Sequence, residues 1–132
     1  MTWTSFPTGA TTLILSLPPG EPYAPPLWLA TAMEHLRMAR QDVHPLDLNR
    51  RLFGEADAQT RRAWDPGCPP AEVMDLFSQG SLAQGLSLLV EAVANSEVKV
   101  VGLSLPPQDI GPSVHLIRAL RQAAPDLCII AR

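Results

Sequence analysis

An α/β domain built on a parallel sheet is the fold class that this 132-residue sequence predicts. Three observations carry the prediction. Short apolar runs alternate with stretches of helical spacing, in the order strand, helix, strand, helices, strand, helix, strand. The 14 prolines cluster between those stretches, where a fixed φ and a missing donor mark loops. Finally, two of the apolar runs close on the same pentapeptide, LSLPP, at 15–19 and again at 103–107.

Each element follows from its residues. TTLILSL (11–17) is short, apolar and bounded by glycine and proline, which suits a buried strand. Residues 1–10 ahead of it read as a flexible amino terminus. Across 25–41, Leu27, Ala30, Met33, Leu36 and Met38 recur near helical spacing, and Pro25 and Pro26 suit the helix start. DVHPLDL (42–48) alternates imperfectly, and its Pro45 places it on a sheet edge, where a missing donor is tolerated. Residues 49–64 read as one or two short helices. Residues 69–96 hold a longer helical region, with Gly80 and Gly85 pointing to a break near SQGS. VKVVGLSL (98–105) is the clearest strand. Residues 111–125 form an amphipathic helix with Val114, Ile117, Leu120 and Ala124 on one stripe. LCIIA (127–131) ends the chain as a strand, in which Cys128 is expected to be a buried thiol.

Right-handed crossovers place the helices on both faces of such a sheet. The expected architecture is a Rossmann-like (flavodoxin-like) three-layer sandwich of strand order 2-1-3-4, truncated after the fourth strand. Ligands of open parallel sheets sit outside the carboxyl ends of the strands, at the switch point. There the first and third strands are neighbours. The two LSLPP endings would then stand side by side at the ligand edge.

Composition and motifs exclude several function classes. A net charge of −3 and a pI near 5.5 leave no basic footprint, so nucleic acid is not an expected partner. No apolar run is long enough for a membrane span, and MTWTSFPTGA lacks the parts of a signal peptide, so a cytoplasmic protein is expected. Cys68 and Cys128 lie far apart without a CxxC pairing, against zinc, iron–sulfur or a disulfide scaffold. The loop PPGEPYAPP after the first strand is not G-x-G-x-x-G, has no P-loop lysine, and carries Glu21 as its only charge. GLSLP lacks the strand-to-helix elbow that a nucleophilic serine needs at Ser104. His35, His44 and His115 fall on three different elements, as surface or packing residues do.

LILSLPPG…PPLWLATAMEHLRMARQDVHPLDLN, with its PP loop, first helix and Asp47-Leu48-Asn49, resembles the amino-terminal cobalamin-binding domain of cobalamin-dependent radical S-adenosylmethionine enzymes. RRAWDPG (61–67) resembles that family's tryptophan segment, and VKVVGLSL with HLIRALRQAAPDLCII its third strand, helix and fourth strand. The likeness spans roughly residues 11–131. It implies a domain that binds cobalamin and is not catalytic alone. The methyl transfer or related radical chemistry would need an iron–sulfur cluster and S-adenosylmethionine, both held by a downstream domain. It further implies that Pro18, Pro19, Gly20 and Tyr23 lie under the corrin, with Asp47 and Asn49 from the DLN step. Ser104, Leu105 and Pro106 would complete the cofactor edge, Ser104 bonding the tail. No residue of this chain is expected to be catalytic or to ligate a metal.

Departures from the family pattern bear on partners. The D-x-H-x-x-G of histidine-ligating cobalamin proteins is absent, as is the Gly-Gly step after the fourth strand and the CxxxCxxC of the radical domain. The chain is then either the amino-terminal piece of a longer enzyme or a degenerate interaction module. A radical domain, a partner chain or a second copy would meet its exposed fourth-strand edge. A flavodoxin-like domain for flavin or a small metabolite is the enzymatic alternative. Simpler roles compete at each residue: the PP pairs as punctuation, Asp47 and Asn49 as a helix cap, Trp28 and Trp64 as packing, and Ser104 as a backbone partner.

Overall fold

Leu13 and Leu15 are wholly buried and point to one side of a strand, while Ile14 between them points to the other. A strand that is apolar on both faces needs a layer on each side, and the fold supplies both. In the computed structural model, which describes residues 9–23, 26–39, 42–107 and 109–132, ten elements follow in order. They are β1 (Thr12–Ser16), α1 (Leu27–Met38), β2 (Val43–Leu46), α2 (Leu48–Glu55), a 3-10 helix (Thr60–Trp64), α3 (Pro70–Ser78), α4 (Gly80–Ala94), β3 (Val100–Ser104), α5 (Gly111–Ala123) and β4 (Cys128–Ala131). All four strands are parallel, in the order β2-β1-β3-β4. The expected α/β fold and its strand order are those observed. Pro45 lies, as expected, in an edge strand.

Strand register decides which residues share a face. Leu13 and Leu15 pair with Val101 and Leu103, and these four join the main core with Leu48, Leu52, Phe77, Leu86, Leu89, Leu116 and Leu120. Each such side chain contributes about 1.5–3 kcal/mol by leaving water. Ile14 pairs with Gly102 and belongs to the opposite layer, where α1 covers β1 and β2 with Met33 as its buried residue. The β1–β2 and β3–β4 connections leave the central pair in opposite directions, so right-handed crossovers put α1 and α5 on opposite faces. Gly80, at φ +61, allows the sharp break that separates α3 from α4, as the SQGS signal predicts.

Some expectations need correction. Of the residues at helical spacing on α1, Met33 is buried while Leu27 and Met38 are exposed, since the helix packs mainly on β1 and β2. On α5 the expected stripe faces the core in part: Leu120 is wholly buried and Ile117 and Ala124 pack against the core, while Ser113 and Leu116 complete the buried ridge. Cys128 is exposed, not buried. It stands opposite Val100 on the α1 side of the sheet, and α1 does not reach across to β4. Ile130, on the same side, is 59% exposed. An apolar LCII run looks alike in a central strand and in an edge strand, and only the neighbours differ. Residues 1–8 of the expected flexible terminus, and residues 25, 40 and 41 of the expected first helix, lie outside the described residues. Gly9 is anchored, its N–H donating to Glu97 Oε2 at 2.9 Å. Among the described residues no helix is long and apolar enough to cross a membrane.

Cys68 differs from Cys128. Its thiol is partly buried, and desolvation, with the Glu72 carboxylate beside it, raises its pKa. Native-state labelling with a thiol-reactive disulfide should therefore modify Cys128 at least tenfold faster than Cys68, read by peptide mass spectrometry. Equal rates would mean that β4 is covered.

Candidate functional site

β1 and β3 pair in register from Thr12↔Val100 to Ser16↔Ser104, so both strands end at the same level. Their chains then diverge, β1 toward α1 and β3 toward α5. A crevice opens where they part, as it does at any topological switch point. The two LSLPP endings form its walls. A cavity of about 260 Å³ lies in it, lined by Ser16, Leu17, Trp28, Ser104, Leu105 and Pro106. This is just below the ~300–1,000 Å³ common for ligand pockets. Its surface is mainly apolar, with Ser16, Ser104, Asn49 and Glu21 as its polar residues, Glu21 bordering the neighbouring cavity as well. Trp28, which sequence reasoning treats as packing, stands at the mouth on the first turn of α1.

The loop between β1 and α1 is held by one buried side chain, Asn49, in the first turn of α2. Its Oδ1 accepts from the Gly20 N–H at 2.8 Å and from the Trp64 indole Nε1–H at 2.6 Å. Its Nδ2 donates to the Glu21 carbonyl at 3.0 Å. Two donors on the oxygen and one acceptor on the nitrogen admit a single amide orientation. Neighbouring Asp47 does act as the helix cap, its Oδ1 accepting from the Arg50 N–H at 3.1 Å.

The Gly20–Glu21 loop separates the crevice from a second cavity of about 420 Å³. Tyr23, Phe53, Arg61, Trp64 and Asp65 line it together with the loop. Phe53 is the centre of this wall. Tyr23 meets it edge-on at 5.4 Å between centroids, Trp64 meets it edge-on at 5.4 Å, and Arg61 sits 4.5 Å over its ring. Trp64 continues inward to Phe77 at 5.6 Å, tying the wall to the core.

Of the nine residues singled out from sequence, Gly20, Asn49, Ser104, Leu105 and Pro106 border the crevice. Tyr23 is 78% exposed on the rim of the second cavity. Pro18 and Pro19, joined by a cis peptide bond, are buried beneath the loop and line neither cavity. Asp47 also lines neither. Sequence reasoning did not single out Phe53, Arg61 or Asp65 as site residues: Phe53 lies in a stretch that reads only as helix, and RRAWDPG (61–67) matches as a segment, without roles for its residues. It also missed Asp109, just before α5, and Ser113, in its first turn, whose Oδ2 and hydroxyl are buried with no hydrogen-bond partner among the described residues. Neither cavity contains a histidine, and no group of three or more metal-ligating side chains occurs among the described residues.

Removing the Asn49 carboxamide leaves the Gly20 N–H, the Trp64 indole and the Glu21 carbonyl without partners. Asn49→Ala should lower the unfolding free energy by about 2–4 kcal/mol in a urea titration. It should also speed exchange of the Trp64 indole proton. A loss below ~0.5 kcal/mol would mean that solvent replaces the carboxamide freely. Compared with protein-family models, with curated proteins and with solved structures, the chain matches none.

Proposed function

We propose that this chain is a cobalamin-binding domain, the amino-terminal part of a cobalamin-dependent radical S-adenosylmethionine enzyme, and not catalytic alone. One observation carries the reading: the two LSLPP strand ends converge on one crevice at the switch point, through the Ser16↔Ser104 register. The residues present fit the cofactor. A large macrocycle with apolar faces and peripheral amides needs an open apolar floor with few polar groups. Leu17, Trp28, Leu105 and Pro106 provide that floor, and Ser16 and Ser104 provide hydroxyls for the tail. These side chains, none of them a histidine, are the ones that would hold the cofactor.

When bound, cobalamin supplies the capacity to accept and donate a methyl group. The chain's own part is binding and orientation. Asn49 fixes the loop at one wall, and Ser104, at the end of a buried strand, presents its hydroxyl from a rigid element. Rigid presentation limits the entropy lost when the ligand is ordered. The iron–sulfur cluster and S-adenosylmethionine would belong to a radical domain, since two separated cysteines cannot form a CxxxCxxC site. That domain or another chain would meet the open side of β4, where Cys128 and Ile130 are exposed.

Titration with hydroxocobalamin and methylcobalamin, followed by desalting, tests the reading. One equivalent should remain with a shifted visible spectrum, and Leu105→Asp should abolish retention while the far-ultraviolet circular dichroism stays unchanged. A folded chain that retains neither form overturns it. For the β4 edge, light scattering should show association that rises with concentration and weakens in Ile130→Lys. A wild-type monomer at high concentration would speak against an adhesive edge.

A further inference from the structure

The aromatic cavity beyond the Gly20–Glu21 loop is not the crevice assigned to cobalamin, and its chemistry differs. Its wall combines the Tyr23, Phe53 and Trp64 rings with the carboxylates of Glu21 and Asp65 and the guanidinium of Arg61. The guanidinium is already committed. Its Nε donates to the Phe53 carbonyl at 3.0 Å and its Nη2 to the Gly54 carbonyl at 3.3 Å, both in the last turn of α2. There the negative end of the helix dipole offsets its charge, and its central carbon sits 4.5 Å from the Phe53 ring centroid. The carboxylates are less committed. Glu21 accepts from the Tyr23 N–H at 2.5 Å and Asp65 from the Gly67 N–H at 2.9 Å, and neither forms an ion pair among the described residues. The cavity is thus net negative and walled by ring faces and edges. An anion would meet two uncompensated carboxylates, whereas a cation would meet both them and the negative ring faces.

We propose that this cavity binds a small ligand carrying a cationic nitrogen, an ammonium or amidinium group, on an apolar skeleton. Tyr23, largely exposed at the rim, supplies the outer ring contact, and Trp64, buried and held by Asn49, supplies the fixed inner one. Specificity for positive charge rests on Glu21 and Asp65.

Benzyltrimethylammonium is the probe, and the Trp64 indole N–H resonance is the reporter, assigned by elimination with Trp3→Phe and Trp28→Phe. The resonance should shift saturably, with a dissociation constant on the order of 1 mM for so small a probe. Raising the salt from about 0.02 to about 0.5 M should weaken binding severalfold. Glu21→Gln and Asp65→Asn each keep the carbonyl oxygen that accepts the local backbone N–H, so the loop survives while the charge is lost. Each should raise the dissociation constant about three- to tenfold. Benzoate, with the same ring and the opposite charge, should produce no saturable shift. Absence of saturation with the ammonium probe overturns the proposal, as does equal binding of benzoate or indifference to both carboxamide variants. Cobalamin retention is read separately, so either proposal can fail while the other stands.

Discussion

The Asn49 carboxamide joins three segments that are far apart in sequence: the loop after β1, the start of α2 and the 3-10 helix that carries Trp64. Much of the site's geometry depends on that junction. A loop containing Gly20 and flanked by prolines has few donors of its own, so without an external partner its path over the sheet would be weakly specified. Asn49 provides an acceptor and a donor from the rigid first turn of a buried helix. Because the same oxygen receives the Trp64 indole, the loop and the aromatic wall are tied to one atom. Buried polar nodes of this kind fix a unique arrangement when every atom is satisfied, and here all three contacts are made.

That junction places two cavities of unlike character back to back. On one side, the ends of β1 and β3 form an apolar crevice with paired serines. On the other, aromatic rings and carboxylates surround a larger space in which the local guanidinium is already engaged. The Gly20–Glu21 backbone is the partition between them. Both cavities therefore share this loop as a physical boundary, although their linings differ in chemistry.

The fold was readable because its signals are local and redundant. Apolar strands, clustered prolines and the SQGS break each constrain one short segment, and the resulting alternation has few compact solutions. The repeated LSLPP pointed to a shared edge, since parallel neighbours that end alike place their endings together. Burial was less legible. Cys128 and Leu27 sit in segments whose patterns suit a core, yet both are exposed because of which elements lie opposite them. Asn49 in the DLN step could be assigned from sequence to a helix cap or to a ligand; the cap is Asp47, and Asn49 instead holds the loop and the Trp64 indole. Its three partners lie 15 to 29 positions away, beyond the reach of any local pattern.

Sequence by itself determined the class of fold, the strand order and the edge at which β1 and β3 present their proline endings. Those follow from periodicity, breakers and the handedness of crossovers, all of which act over short stretches of chain. Tertiary structure alone decided that Pro18 and Pro19 are buried, that Phe53, Arg61 and Asp65 join Tyr23 and Trp64 around one cavity, and that α1 leaves the outer half of the sheet open. The reason is that side-chain contact depends on distance in space. Residues from β1, α2 and the 3-10 helix become neighbours only when the sheet sets where each segment must pass.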